Sequence, residues 1–165
     1  MFKIIKIMFC FIFTSLARFT LGSCKRNLRV NYYSRFSSNT FIGNNCHFNG
    51  LVIRGKGKVT IGDNFHSGSG CKMITSYHDY DNDDFIPYGN KVINKDIVIG
   101  NNVWLGDDVL ILGGVHIEDG SIIQAGSVVT SSIGYCEVAG GSPAKSFKKR
   151  DIEHYERLCK LGKFK

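Results

Sequence analysis

A six-residue period runs from Ile99 to Ile133 almost without interruption, and no other feature restricts the fold of this chain as strongly. The blocks read Ile99-Gly-Asn-Asn-Val-Trp, Leu105-Gly-Asp-Asp-Val-Leu, Ile111-Leu-Gly-Gly-Val-His, Ile117-Glu-Asp-Gly-Ser-Ile, Ile123-Gln-Ala-Gly-Ser-Val and Val129-Thr-Ser-Ser-Ile-Gly. A branched aliphatic opens every block, and Val, Ser or Ile fills the fifth place. A period of six fits neither the helical repeat nor the alternation of an open sheet, so the chain must turn a corner every six residues. That architecture is a parallel β-helix: aliphatics stack inward from coil to coil, and Gly, Asn and Asp take corners that need left-handed backbone. Parallel strands usually connect by right-handed crossovers, and the period is compatible with either hand.

With 165 residues the chain is expected to form one domain. A hydrophobic fraction of 43%, 19 glycines and two prolines describe a globular, turn-rich protein. The net charge of +7 is concentrated at the ends, in Lys3 to Arg29 and Lys145 to Lys165. No basic stripe interleaved with aromatics runs through the repeat, which argues against nucleic acid as a partner. The six cysteines are scattered, with no C-x-x-C pair, as reduced and packed cysteines of an intracellular protein would be. Cys71 and Cys136 are the candidates for a nucleophile, and neither sits in a supporting motif.

Residues 1–23 form an apolar, aromatic segment with Lys3 and Lys6 in front and Arg18 near its end. Its uninterrupted run, Ile7 to Ala17, reaches roughly 16 Å as a helix, against the ~30 Å needed to cross a bilayer. Three readings stay open: packing on the first coil or on a partner subunit, an interfacial membrane contact through residues 1–22, and a signal sequence cleaved after Ala17. The first is the bland reading and leads. From Cys24 to Ser38 the chain is basic and polar, and Thr40 to Cys46 supplies the first aliphatic-Gly-Asn-Asn corner. Residues 51–53 and 59–61 read as strands on either side of a glycine-rich turn, which lacks the Gly-Lys-Ser/Thr ending of a phosphate loop.

Hexads open at Ile61, Ser67 and Met73, and the last of these ends at His78. An acidic, aromatic insertion follows, assigned to residues 79–92, and the register is expected to restart at Ile93. An insertion in a solenoid projects from one face, often the binding face. Beyond residue 145, Asp151 to Gly162 reads as a short helix with Ile152, Tyr155 and Leu158 or Cys159 on one side, placed to cover the open end of the solenoid. The expected division is therefore an apolar segment at 1–23, the β-helix at 24–145 and a basic helical tail at 146–165.

His78 with its loop, Ile97 to Gly106 including Trp104, Ala125-Gly-Ser-Val-Val-Thr130, and Ala139-Gly-Gly-Ser-Pro-Ala-Lys145 with Arg150 occur in an order and spacing that resemble the hexapeptide-repeat acyltransferases. The nearest branch is the acetyltransferases of sugars and bacterial surface polysaccharides. The resemblance covers roughly residues 40–150. It implies an all-β, left-handed parallel β-helix, acetyl-CoA as co-substrate, a saccharide acceptor, and a homotrimer with active sites between subunits. By position in the motif, His78 matches the general base, Trp104 and Ala125 the pantetheine groove, and Lys145 and Arg150 the nucleotide phosphates. Backbone amides near Gly106 or Gly126 are the expected partners of the thioester oxygen. Tyr77, Asp79, Asp81 and Tyr88, at and within the loop, are candidates for acceptor contacts.

The chemistry fits these residue types. A sugar hydroxyl is a weak nucleophile at neutral pH, and a positioned imidazole that takes its proton contributes on the order of 10²–10⁴ in rate. Amides aimed at the developing oxyanion stabilise the tetrahedral intermediate, and a thiol leaves without a covalent enzyme intermediate. Each residue also has a plainer reading: a hydrogen-bonded histidine among five, a bulky corner tryptophan, solvated lysines and arginines, and a solvated acidic loop. His78 stands apart because it sits where the repeat breaks. The chain lacks the long helical N-terminal region of serine acetyltransferases and the compact N-terminal module of maltose and galactoside acetyltransferases, which argues against those substrates.

The principal expectation is O-acetylation of a saccharide of a bacterial capsule or lipopolysaccharide, with N-acetylation of an amino sugar as alternative. A zinc hydratase on the same scaffold would need three convergent imidazoles, and the paired histidine spacing is missing, so no metal is expected. A non-catalytic scaffold is the remaining class. The expected location is the cytoplasm, with the inner face of the membrane as the variant that the apolar N-terminus suggests.

Overall fold

The computed structural model describes residues 2–165, with side chains from Ile5 onward. Met1, the first residue of the apolar segment, lies outside the described residues. The chain folds as a left-handed parallel β-helix of about six turns, flanked by two helices, α1 (Phe2–Thr20) and α2 (Ile152–Lys160). On the first face, strands Ser23–Cys24, Thr40–Ile42, Val59–Ile61, Ile97–Ile99 and His116–Ile117 stack in parallel. The second face runs from Arg29–Tyr32 through His47–Asn49, His66–Ser69, Trp104–Leu105 and Ile122–Ile123 to Glu137–Gly141 and Ala144–Lys149. The third face holds Val52–Arg54, Lys72–Ile74, Leu110–Leu112 and Val128–Val129.

Six-residue blocks build this prism because the first and fifth places point inward. Ile99, Leu105, Ile111, Ile117, Ile123 and Val129 are buried, and so are Val103, Val109, Val115, Ser121, Ser127 and Ile133 in the fifth place. Burying each aliphatic contributes about 1.5–3 kcal/mol. Registers such as Ile99↔Ile117, Leu105↔Ile123 and Ile111↔Val129 place like residues in vertical columns, one coil above the other.

The corner between the first and second faces is held by side chains. Asn45, Asn64 and Asn102 adopt φ of 54°, 56° and 57°. Their amides form a ladder, Asn45 donating to Asn64 at 3.0 Å and Asn64 to Asn102 at 2.9 Å. Beside it, a carboxylate or amide oxygen from the next coil caps each turn. Asp63 Oδ1 accepts from Asn44 N at 2.7 Å, Asn101 Oδ1 from Asp63 N at 2.8 Å, and Asp119 Oδ1 from Asn101 N at 2.7 Å. These bonds satisfy backbone donors that no strand can reach.

The solenoid begins before the Thr40 corner, at the expected lower bound near residue 24: residues 23–36 form the first coil, with Leu28, Val30 and Phe36 buried. Other expectations need correction. Ile93 does not restart the coil. It lies in strand Val92–Asn94, which returns antiparallel to Ser76–His78 as the stem of the loop, and the coil resumes at Ile97, in register with Val59. Ile61 pairs with Ile99 across a far longer stretch of chain than Ile99 pairs with Ile117, and the surplus over one ordinary coil is an insertion at 76–95. Lys95 N closes it by donating to Thr75 O at 2.8 Å. Strands are not uniformly parallel, since the loop stem and the pair Glu137–Gly141 with Ala144–Lys149 are antiparallel.

The place of α2 also differs from expectation. Asp151 caps it as expected, accepting from His154 N at 2.9 Å, and Tyr155 is its buried residue. The helix lies along the asparagine corner rather than over the open end, because Asn102 Nδ2, the last amide of the ladder, donates to the Tyr155 hydroxyl at 2.9 Å. The tail then descends the same corner until Lys165 O accepts from Asn45 Nδ2 at 2.8 Å. At the opposite end α1 packs on the first coil through Phe13 and Ala17, with Leu21 just beyond its end adding to the contact. Its Thr14 hydroxyl accepts from Val30 N at 2.9 Å.

Candidate functional site

His78 ends the first stem strand at the corner between the third and first faces. Its Nδ1 is 3.0 Å from the carbonyl oxygen of Gly89, and its ring stacks on Tyr88 with centroids 4.1 Å apart. A carbonyl oxygen can only accept, so Nδ1 carries the proton and Nε2 of the neutral ring holds the free lone pair. The stem therefore fixes both the tautomer and the direction of the imidazole. Tyr88 and Tyr77 are exposed on either side of this arrangement, and Lys95 Nζ lies 5.4 Å from the centre of the Tyr77 ring.

The acidic residues of the loop divide by role. Asp79 is buried and turned into the loop: Oδ2 meets Lys91 Nζ at 2.7 Å, and Oδ1 accepts from Asn82 N at 3.2 Å and Asn82 Nδ2 at 3.1 Å. These bonds, the Lys91 pair above all, hold its carboxyl below the usual carboxylate range. Asp79 is thus a brace of the loop, which corrects its reading as an acceptor contact. Asp81 is exposed. Asp83, one of the loop acids that could orient His78 but not among those favoured from the sequence, has a carboxylate that accepts from Asp84 N at 2.9 Å and Lys91 N at 2.8 Å. A side chain at Gly89 would collide with that carboxylate, so Asp83 and Gly89 together set the carbonyl that orients His78.

The residues matched to acetyl-CoA contacts lie on other parts of the prism. Trp104 is 55% exposed on the second face, beside His66 and Ile122. It lines a cleft of about 470 Å³ between that face and α2, together with His66, Asn102, Arg150, Tyr155 and Lys165. Arg150 is occupied with structure, since its Nη1 donates to Gly120 O at 3.1 Å and its guanidinium lies 4.9 Å from the Tyr155 ring centre. Lys145 is exposed on strand Ala144–Lys149. Ala125 and Gly126 sit at the corner between the second and third faces, stacked on Gly106 and Asp107. Within one chain, His78, Trp104 and Ala125 therefore do not share a pocket.

The amides of Gly106 and Gly126, expected to face the thioester oxygen, are both spoken for. Gly106 N donates to Ile123 O and Gly126 N to Asp107 O, each at 2.8 Å. The open donor is next door. At this corner Asp107 Oδ1 caps Ser69 N at 2.7 Å, continuing the pattern of the asparagine corner. Asp107 N would need an acceptor from residue 125, which is alanine, and among the described residues it has no hydrogen-bond partner. A Cβ at Gly126 would meet nothing within 4 Å, so the corner is also clear of bulk. The column at this corner runs Ser69, Asp107 and Ala125, and the change from aspartate to alanine one coil on is the signal in the sequence.

Among the other histidines, His47 and His66 stack at 4.3 Å on the second face and His116 lies on the first. Burial, then the neighbouring His66, Arg29 and Lys165 charges, lower His47 to about 4. Cys71 and Cys136 are buried, and burial raises both thiols. A raised pKa keeps them protonated and unreactive.

The family described as bacterial transferase hexapeptide (six repeats) matches residues 96–131. A galactoside acetyltransferase solved in complex with coenzyme A is 31% identical, with 85% of this chain and 71% of that one covered and a TM-score of 0.71. The chain belongs to the hexapeptide-repeat acetyltransferases. A hexapeptide-repeat-containing acetyltransferase from Vibrio cholerae is 28% identical, covering 82% of this chain and 77% of its own, with a TM-score of 0.63. A maltose O-acetyltransferase from Clostridium difficile 630 is 27% identical, covering 90% and 88%, with a TM-score of 0.54. Curated protein sequences give no match.

Proposed function

We propose that this acetyltransferase moves the acetyl group of acetyl-CoA to a hydroxyl of a sugar in a bacterial surface polysaccharide or its precursor. The observation that carries this reading is the His78 imidazole, held by Gly89 O with Nε2 free. In the proposed reaction Nε2 takes the hydroxyl proton as the sugar oxygen attacks the thioester carbonyl. Asp107 N donates to the oxyanion that develops there, in the role first assigned to Gly106 or Gly126. Collapse expels the thiolate, and the imidazolium returns its proton to that sulfur. Galactoside and maltose enzymes among the relatives support a sugar hydroxyl as acceptor.

His78, Trp104 and Ala125 lie on separate parts of one prism, which supports a homotrimer whose sites form between subunits. There the loop of one copy faces the cleared corner of the next, with Trp104, Ala125 and Gly126 along the pantetheine arm. Lys145 supplies charge for the phosphates; Arg150 reaches them only through the part of its guanidinium not held by Gly120. Tyr77, Tyr88 and Asp81 remain the acceptor-side contacts. The use of acetyl-CoA favours a cytoplasmic location.

The test is release of CoA thiol from acetyl-CoA with a panel of hydroxyl and amino sugars. His78→Ala is expected to lower kcat by about 10²–10⁴ with acetyl-CoA binding, measured by calorimetry, unchanged. Equal thiol release by intact protein and variant across the panel overturns the reading. Turnover confined to amino sugars replaces O- by N-acetylation.

A further inference from the structure

A helix packed on a protein normally turns its apolar stripe inward and its polar residues to water. α1 does the reverse. Its inward side carries Cys10, Thr14 and Ala17 beside Phe13, with Ala17 buried and Thr14 bonded to Val30 N. Its outward side carries Ile7, Phe11 and Phe19, exposed at 64%, 74% and 88%, with Met8, Ile12 and Leu16 between them. The strand it meets, Arg29–Tyr32, is the last of the second face at that end, so α1 lies across the end of the prism with its apolar side facing away.

Charge is polarised along the same axis. Residues 1–62 contain ten Lys and Arg and no Asp or Glu, and all 14 acidic residues follow from Asp63 onward. The other 11 basic residues are set against those 14 acids, so residues 1–62, which build α1 and the first coils, carry +10 and residues 63–165 carry −3. Arg18, Lys25 and Arg26 line one depression beside the C-terminal end of α1; Lys6, toward its N-terminal end, and Arg29, on the strand it packs against, are also exposed.

We propose that this end docks on an anionic lipid bilayer, with α1 lying in the plane of the interface. No described helix is long and apolar enough to cross a membrane. An outward apolar face rimmed by cations is the pattern of an in-plane helix, whose side chains enter the headgroup boundary while the charges meet phosphate. A second copy is a poorer occupant, because pairing two such ends would bring like charges of +10 together, whereas an anionic surface attracts them. The inference is independent of the acceptor, since it rests on α1 and the first coils rather than on His78.

Sedimentation of the full-length protein with vesicles tests it, using phosphatidylcholine alone or mixed with phosphatidylglycerol. The protein is expected to pellet with the mixed vesicles, less so as salt is raised. Arg18→Gln with Lys25→Gln and Arg26→Gln should weaken binding about fivefold per charge, or about a hundredfold together. Phe11→Glu with Phe19→Glu should abolish it, while the Tm and acetyl-CoA binding of both variants stay those of the parent. Intact protein left in the supernatant with mixed vesicles overturns the proposal. So does a Phe11/Phe19 variant that binds vesicles normally but sediments as a smaller assembly, which would assign the face to a second copy.

Discussion

Ala125 shows how one side chain separates a structural corner from a functional one. At four turns over which a side-chain acceptor stacks, a glycine precedes the capped residue and makes room for it: Gly43 before Asn44, Gly62 before Asp63, Gly68 before Ser69 and Gly100 before Asn101. Gly106 precedes Asp107 in the same way, so the space for a cap is present and the acceptor is missing. Ala125→Asp should complete the ladder, leaving Tm equal or higher. It should also lower kcat by about 10²–10³ through loss of the oxyanion donor. Melting and steady-state kinetics on the same preparation decide this, and a fall in Tm or an unchanged kcat would sink it. His47 carries a stability prediction of its own. The unfolded chain binds a proton at this imidazole below about 6.5, whereas the folded chain does so only near 4. His66 is lowered too, first by burial. Stability is therefore full above pH ~6.5 and falls as the pH drops toward 4, where the unfolded state binds more protons. Tm should be lower at pH 5 than at pH 7, and His47→Gln should flatten that difference.

The loop at 76–95 is the element whose order depends on ionisation. Asp79 is held below its ordinary value by Lys91 and then Asn82, and Lys91 is raised by Asp79. What the pair contributes to loop order is present above the unfolded Asp value of ~3.9 and lost as the pH falls through the lowered one. At the other end it is lost as the pH rises through the raised Lys91 value, above ~10.4. Hydrogen exchange gives the readout: Asp79→Asn should speed exchange at Asp79 N, which donates to Lys91 O at 2.9 Å, and leave Ile111 and Ile123 protected. Slow exchange throughout the loop of the variant would show that the brace is elsewhere. Little of this loop was legible in the sequence, because its register depends on pairing between its two ends rather than on a period, and so Ile93 read as a hexad. The first coil lay within the expected bounds of the β-helix, but its hexads were hidden for another reason. Cys24, Val30, Phe36, Ile42 and Phe48 keep the six-residue spacing, yet their openers include cysteine and phenylalanine, and basic residues fill the corners between them. The columns from Ile99 to Ile133 were plain because each coil there is built of unbroken blocks with aliphatic openers. His78 was legible as the point where the period fails, whereas Gly89 and Asp83 were not, since only the folded loop brings them beneath the imidazole.

For the whole molecule, the separation of functional groups around the prism makes a prediction that no single chain can satisfy. A base at one corner and an open amide at another cannot act on the same thioester unless a second copy turns its corner toward the loop. In the proposed trimer this would happen three times, each site taking His78 from one subunit and Asp107 and Ala125 from its neighbour. His78→Ala and Ala125→Asp should each be nearly inactive alone. Coexpressed with different tags and purified through both, they should form mixed trimers containing some sites with an intact His78 facing an intact Ala125. Activity should then reappear in the doubly selected fraction and be absent from the two variants mixed after assembly. Light scattering on the parent should give three times the mass of one chain. If mixed assemblies form and stay inactive, the base and the amide belong to the same subunit, and the loop must swing across a face of its own prism to reach the corner.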